Sequence, residues 1–134
     1  MPTVTRAFIK ASLAYLAAAL GLQIWQAIPE LAVPGLSPVY FHFFLVGWVT
    51  QMIMGVAHWF FPKFSPELPR RSERLAWAVF GLLNGGLLLR GVAEQLYTGN
   101  PAPGWGAALA ASAALQWLAA VLFVVNVWGR VKER

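Results

Sequence analysis

What most constrains this chain is where its charges are missing. No charged residue falls between Lys10 and Glu30, between Glu30 and Lys63, between Arg74 and Arg90, or between Glu94 and Arg130. A helix that crosses a bilayer needs about 20 mostly apolar residues, since the hydrocarbon layer is about 30 Å thick and each residue advances about 1.5 Å. Charged residues make up only 11% of the sequence, against about a quarter in ordinary globular proteins. A soluble domain of 134 residues exposes too much of its surface to hide so much apolar material. The expected fold is all-α, a single four-helix transmembrane bundle over residues 1–134. An open sheet is excluded, because its edge groups would stay unpaired in lipid.

Helix breakers divide the chain. Pro29, Pro34, Gly35 and Pro38 separate the first and second apolar runs, and Pro62, Pro66 and Pro69 end the second. Gly99, Asn100, Pro101, Pro103 and Gly104 separate the third from the fourth. Proline removes a backbone donor and clashes inside a helix, so the predicted spans are about 6–28, 38–61, 73–97 and 104–129. The first resembles a signal peptide behind Arg6 and Lys10. Its apolar stretch, about Ala11 to Ile28, is too long for a signal core and no small-residue cleavage site closes it, so it reads as a retained helix.

Nine of the ten Lys and Arg residues fall on one side of this layout. They are Arg6 and Lys10, then Lys63, Arg70, Arg71 and Arg74, then Arg130, Lys132 and Arg134. The connections near residues 29–37 and 98–103 hold neither Lys nor Arg. By the positive-inside rule both termini are expected in the cytoplasm, with the protein in a bacterial or archaeal cytoplasmic membrane. Trp25, Trp59, Trp77, Trp105 and Trp128 sit near span ends, as an interfacial belt requires. The net charge of +5 flanks apolar spans and does not form a nucleic-acid footprint. Cysteine is absent, which excludes disulfides, thiolate metal sites, iron–sulfur clusters and Cys-attached haem.

Ionisable groups within a membrane are costly and point to function. Four are candidates: His42, His58, Arg90 and Glu94. On a regular helix at 100° per residue, His42 heads a strip of Val46, Val49, Ile53, Val56 and Phe60. A neutral imidazole above an apolar wall suits an axial haem ligand; the alternative is an interfacial histidine bonded to water or a loop carbonyl. His58 falls about 24 Å further along and about 160° around the same regular helix. It continues a stripe of Gly47, Gln51, Met54 and Gly55, the small and polar types that close helix contacts use. His58 therefore reads first as a packing residue and only second as a metal ligand. Arg90 and Glu94 form an i,i+4 pair, while Arg90 also suits a carboxylate such as a haem propionate. Gly81, Asn84 and Gly85 read as a helix contact.

The segment from His42 through Gly47-Trp48 and Gly55 to Trp59-Phe-Phe-Pro62 resembles the catalytic subunit of the haem-copper oxidase and nitric oxide reductase family. That family builds twelve helices in three arcs of four, with metal-ligating histidine on the second helix of each arc. The resemblance implies a haem b site at His42, with Arg90 facing a propionate, and a homo-oligomer, a trimer by analogy with the three arcs. It departs from the family in lacking a His-His pair and a tyrosine-linked histidine. A single chain thus has no complete catalytic centre, and electron transfer or binding of O2 or NO is the expected role. A non-catalytic accessory subunit of a respiratory oxidase or nitric oxide reductase complex is the alternative. No nucleophile–base constellation supports a hydrolase, and no inverted repeat supports a transporter.

Overall fold

The computed structural model describes residues 1–131. Four helices are long and apolar enough to cross a membrane: α1 (Thr3–Ala27), α2 (Leu36–Phe60), α3 (Glu73–Gly99) and α4 (Pro103–Trp128). No strand occurs among the described residues. Each span lies within three residues of its predicted limits.

The termini follow local chemistry. Gly35 precedes α2 with φ 83°, a left-handed conformation that costs glycine little. Pro38 sits in the first turn of α2, where no intrahelical donor is lost. Phe61 is extended (φ −61°, ψ 148°), as the residue before a proline should be, and α2 stops there. The Ser72 hydroxyl accepts from the Leu75 N–H at 3.1 Å and caps α3. Pro103 occupies the first turn of α4.

The helices pack as two antiparallel pairs, α1 with α2 and α3 with α4, joined where α3 meets α1 and α2. Gly47 and Gly55 hold the first pair close. A Cβ at Gly47 would lie 2.6 Å from the Tyr15 ring, and one at Gly55 would lie 2.8 Å from Phe8 Cβ. Gly86 does the same for the second pair, where a Cβ would meet the Ser112 carbonyl oxygen at 3.0 Å. The expected contact through Gly81 and Gly85 is not made within the chain. Both face open space, because the α3–α4 seam runs along Leu83, Gly86 and Leu87 instead.

Val4, Phe8, Tyr15, Met54, Val79, Leu83 and Leu87 form the centre of the core. The Phe8 and Phe80 rings meet edge to face at 5.2 Å, and those of Tyr15 and Phe43 at 5.0 Å. Several polar groups inside the bundle pair with one another or with the backbone, as a medium without water demands. Gln51 Nε2 donates to Asn84 Oδ1 at 3.3 Å, so Asn84 does bond across helices, and its own amide donates to the Phe80 carbonyl. Ser112 Oγ donates to the Gly86 carbonyl at 2.8 Å and accepts from Gln116 Nε2 at 3.1 Å.

The alternating topology gathers the residue 61–72 connection and the end of α4 at one end of the bundle. There Arg130 Nε donates to the Pro62 carbonyl at 3.0 Å and its Nη2 to the Phe61 carbonyl at 2.7 Å. Arg71, itself at φ 61°, donates to the Val125 carbonyl. Lys63, Arg70 and Arg74 complete this basic end; Lys132 and Arg134 lie outside the described residues.

Candidate functional site

The site begins with an irregularity in α2. Leu36–His42 and Gln51–Phe60 are α-helical, but Phe43–Thr50 is π-helical. The Gln51 N–H reaches the Val46 carbonyl five residues back, and Thr50 Oγ1 donates to the Leu45 carbonyl at 2.9 Å. A π-turn takes in about one extra residue, which delays the helix by roughly 100°. The regular projection used for the sequence therefore fails across this segment. Phe41 and Leu45, 57% and 53% exposed, now lie in line with the exposed Ile53, Val56 and Phe60. His42 is turned off that strip. The angle between His42 and His58 likewise falls from about 160° to about 60°, though they remain more than 20 Å apart along the axis.

His42 is half-buried, and its Nδ1 lies 2.9 Å from the Pro38 carbonyl oxygen. A carbonyl can only accept, so Nδ1 carries a proton, and in the neutral ring the lone pair is on Nε2. This is the tautomer in which histidine binds metals, with the second nitrogen anchored to a carbonyl. The acceptor is a carbonyl of the same helix, one turn back, not the loop carbonyl of the alternative reading, and the bond leaves Nε2 open to a ligand role.

Arg90 stands at the same level. A Cβ on its neighbour Gly91 would meet the Phe43 ring at 3.1 Å and Val39 at 3.9 Å. Arg90 Nε lies 3.0 Å from Glu94 Oε2, and both side chains are largely buried. The i,i+4 ion pair read from the sequence is thus formed. No bond joins Arg90 to His42 among the described residues.

His58 is 2% exposed. It lies among Phe8, Met54, Ala76, Val79, Phe123 and Asn126, in a space too tight to admit water. Its Nε2 has no hydrogen-bond partner among the described residues. The stripe of Gly47, Gln51, Met54, Gly55 and His58 is buried throughout, as the packing reading expects.

The donor chemistry of His42 fits an iron ligand. Enclosure by one chain does not: the nearest sizeable cavity, about 340 Å³ between α1 and α2, is lined by Leu22, Gln26, Leu36, Tyr40 and Phe41 but not by His42. Among the described residues no three His, Cys, Asp or Glu side chains cluster to hold a metal ion. A macrocycle on His42 would find one wall here and require the others from a second chain. No family model, curated protein or solved structure matches this chain.

Sequence reasoning missed Arg130 as a structural residue and counted it only as a tail charge. The available signal was its position directly after an apolar span, within reach of a proline-terminated helix end.

Proposed function

We propose that this integral membrane protein binds haem b, with His42 Nε2 as the axial donor and the macrocycle held where copies of the chain meet. The observation that carries this reading is the His42–Pro38 hydrogen bond, which presets the metal-binding tautomer at a half-buried position. The resemblance of the His42–Pro62 segment to the haem-copper oxidase family supports it and favours a trimer. Arg90, at the level of His42, is the residue of this chain suited to a propionate, with Glu94 sharing its charge. When bound, the haem supplies a one-electron couple or a coordination position for a diatomic gas. In this reading the protein lies in a bacterial or archaeal cytoplasmic membrane, and the charge asymmetry supports both termini on the cytoplasmic side.

The test is an absorption spectrum of detergent-purified protein, oxidised and dithionite-reduced, alongside His42→Ala and His58→Ala. The reading expects a haem difference spectrum that survives His58→Ala and is lost in His42→Ala. Colourless protein after expression with ample haem, or a signal indifferent to His42, would sink it.

A second reading, an accessory subunit of a respiratory oxidase or nitric oxide reductase complex, is favoured by Gly81 and Gly85. Their open, outward faces on α3 allow close approach of a further helix. Co-purification of a larger complex after mild solubilisation, with no haem retained by the isolated chain, supports this second reading over the first.

A further inference from the structure

At the basic end of the bundle a cavity of about 390 Å³ is lined by Trp59, Phe61, Lys63, Pro69, Arg70 and Arg130. Three of its six lining side chains are cationic and none is acidic. The sole ion pair among the described residues is the distant Arg90–Glu94 pair, so no carboxylate of the described residues pairs with these three cations. Arg130 is 1% exposed. Two of its nitrogens are spent on the Pro62 and Phe61 carbonyls, but Nη1 is buried without an acceptor among the described residues. An unpaired buried guanidinium nitrogen is costly, and the missing partner should be an anion. Burial and the nearby Arg70 guanidinium both push the Arg130 pKa below its ordinary value, a strain that an intervening anion would relieve.

A second cavity, about 360 Å³, runs along the outer face of α2 between Met52, Ile53, Val56, Ala57, Phe60 and Phe61. It is almost wholly apolar, and Phe61 is the wall it shares with the basic cavity. An oily groove next to a cationic pocket at the end of a membrane span matches one chemistry, an amphiphile with an anionic head. From this juxtaposition we infer that Lys63, Arg70 and Arg130 bind the phosphate of an anionic phospholipid whose acyl chain lies along Ile53, Val56 and Phe60. Trp59, half-exposed beside the pocket, marks the depth at which headgroups lie. Basic pockets between spans are known lipid headgroup sites by the same electrostatics.

The test is a titration of the full-length protein in neutral detergent with phosphatidylglycerol, phosphatidylcholine or inorganic phosphate, read by native mass spectrometry and by thermal stability. Arg130 fastens α2, so the variants are Lys63→Gln with Arg70→Gln, against Arg74→Gln as a basic control outside the pocket. Phosphatidylglycerol should bind at least about tenfold more tightly than phosphatidylcholine, and the double variant should remove most of that preference while the control keeps it. Equal binding of both lipids, or an unchanged preference in the double variant, overturns the inference. Stabilisation by inorganic phosphate equal to that by phosphatidylglycerol overturns the lipid assignment in favour of a free-phosphate site.

Discussion

Asn126 and Ser72 exchange two hydrogen bonds across the basic end of the bundle. The Ser72 N–H donates to Asn126 Oδ1 at 3.3 Å, and Asn126 Nδ2 donates back to the Ser72 carbonyl at 3.2 Å. One buried side chain thus satisfies both backbone groups of the residue that caps α3, and it does so from the far end of α4. Asn126→Ala should leave the Ser72 N–H unpaired, while the Ser72 carbonyl keeps its bond from the Ala76 N–H at 3.2 Å, and lower stability by about 1–3 kcal/mol. Asn126→Asp, which keeps only the acceptor, should also destabilise. Thermal unfolding in detergent would measure both; a melting point unchanged in Asn126→Ala contradicts the pairing.

The α3–α4 seam predicts a contrast between neighbouring glycines. Gly86→Ala places a methyl against the Ser112 backbone oxygen and Leu115 Cβ, neither of which can move without shifting α4. A loss of about 1–3 kcal/mol is expected from overpacking. Gly81→Ala meets nothing and should be neutral or stabilise by up to about 1 kcal/mol through helix propensity. Equal effects of the two substitutions on unfolding in a denaturing detergent would place the seam elsewhere.

The Gln51–Asn84 bond should be a modest stabiliser. Asn84 keeps its donation to Phe80 when Gln51 is replaced, and Gln51 Oε1 is already buried without a partner. Gln51→Leu is therefore expected to cost little. A double-mutant cycle with Asn84→Leu should give a coupling of about 0.6 kcal/mol, the usual size for such bonds in membranes. A coupling of several kcal/mol would mean that a wider polar network depends on the pair.

His58 offers a test of packing against ligation. Its ring fills space among apolar side chains while Nε2 goes unpaired. His58→Leu should thus be neutral or stabilising by up to about 1 kcal/mol, since an apolar group of similar size removes the unsatisfied nitrogen. A variant that unfolds would show that the imidazole makes a polar contact the protein needs.

Much of the fold was legible because the bilayer acts on long stretches of sequence. Charge gaps and prolines place every span, and the Gly47–His58 stripe identifies the buried side of α2, since all of it but Gly47 lies on the regular stretch Gln51–Phe60. The site was less legible. The projection of His42 onto Ile53 and Phe60 assumes 100° per residue throughout, and nothing in Phe43–Thr50 announces wider turns; the run is as apolar as its neighbours. The seam of α3 was misread for a related reason. Gly81, Gly85 and Gly86 are alike in composition, and only the partner helix decides which one is crowded. Arg130 was hidden by the rule that found the orientation, which treats each cation as a charge on one side and not as a donor with carbonyls to cap.

The wide turns of Phe43–Thr50 also give the two halves of α2 different bearings. Its inner half is locked by Gly55, Met54 and His58 in the core, so its rotation cannot change without unpacking the bundle. The outer half, carrying His42, is aimed by however much the wide turns delay the coil. Loss of one residue within them would swing the imidazole through about a quarter of a circle while the core half kept its place. The same change would turn Phe43 away from Tyr15 and Gly91, so the direction of His42 and the packing of this half of α2 are set together.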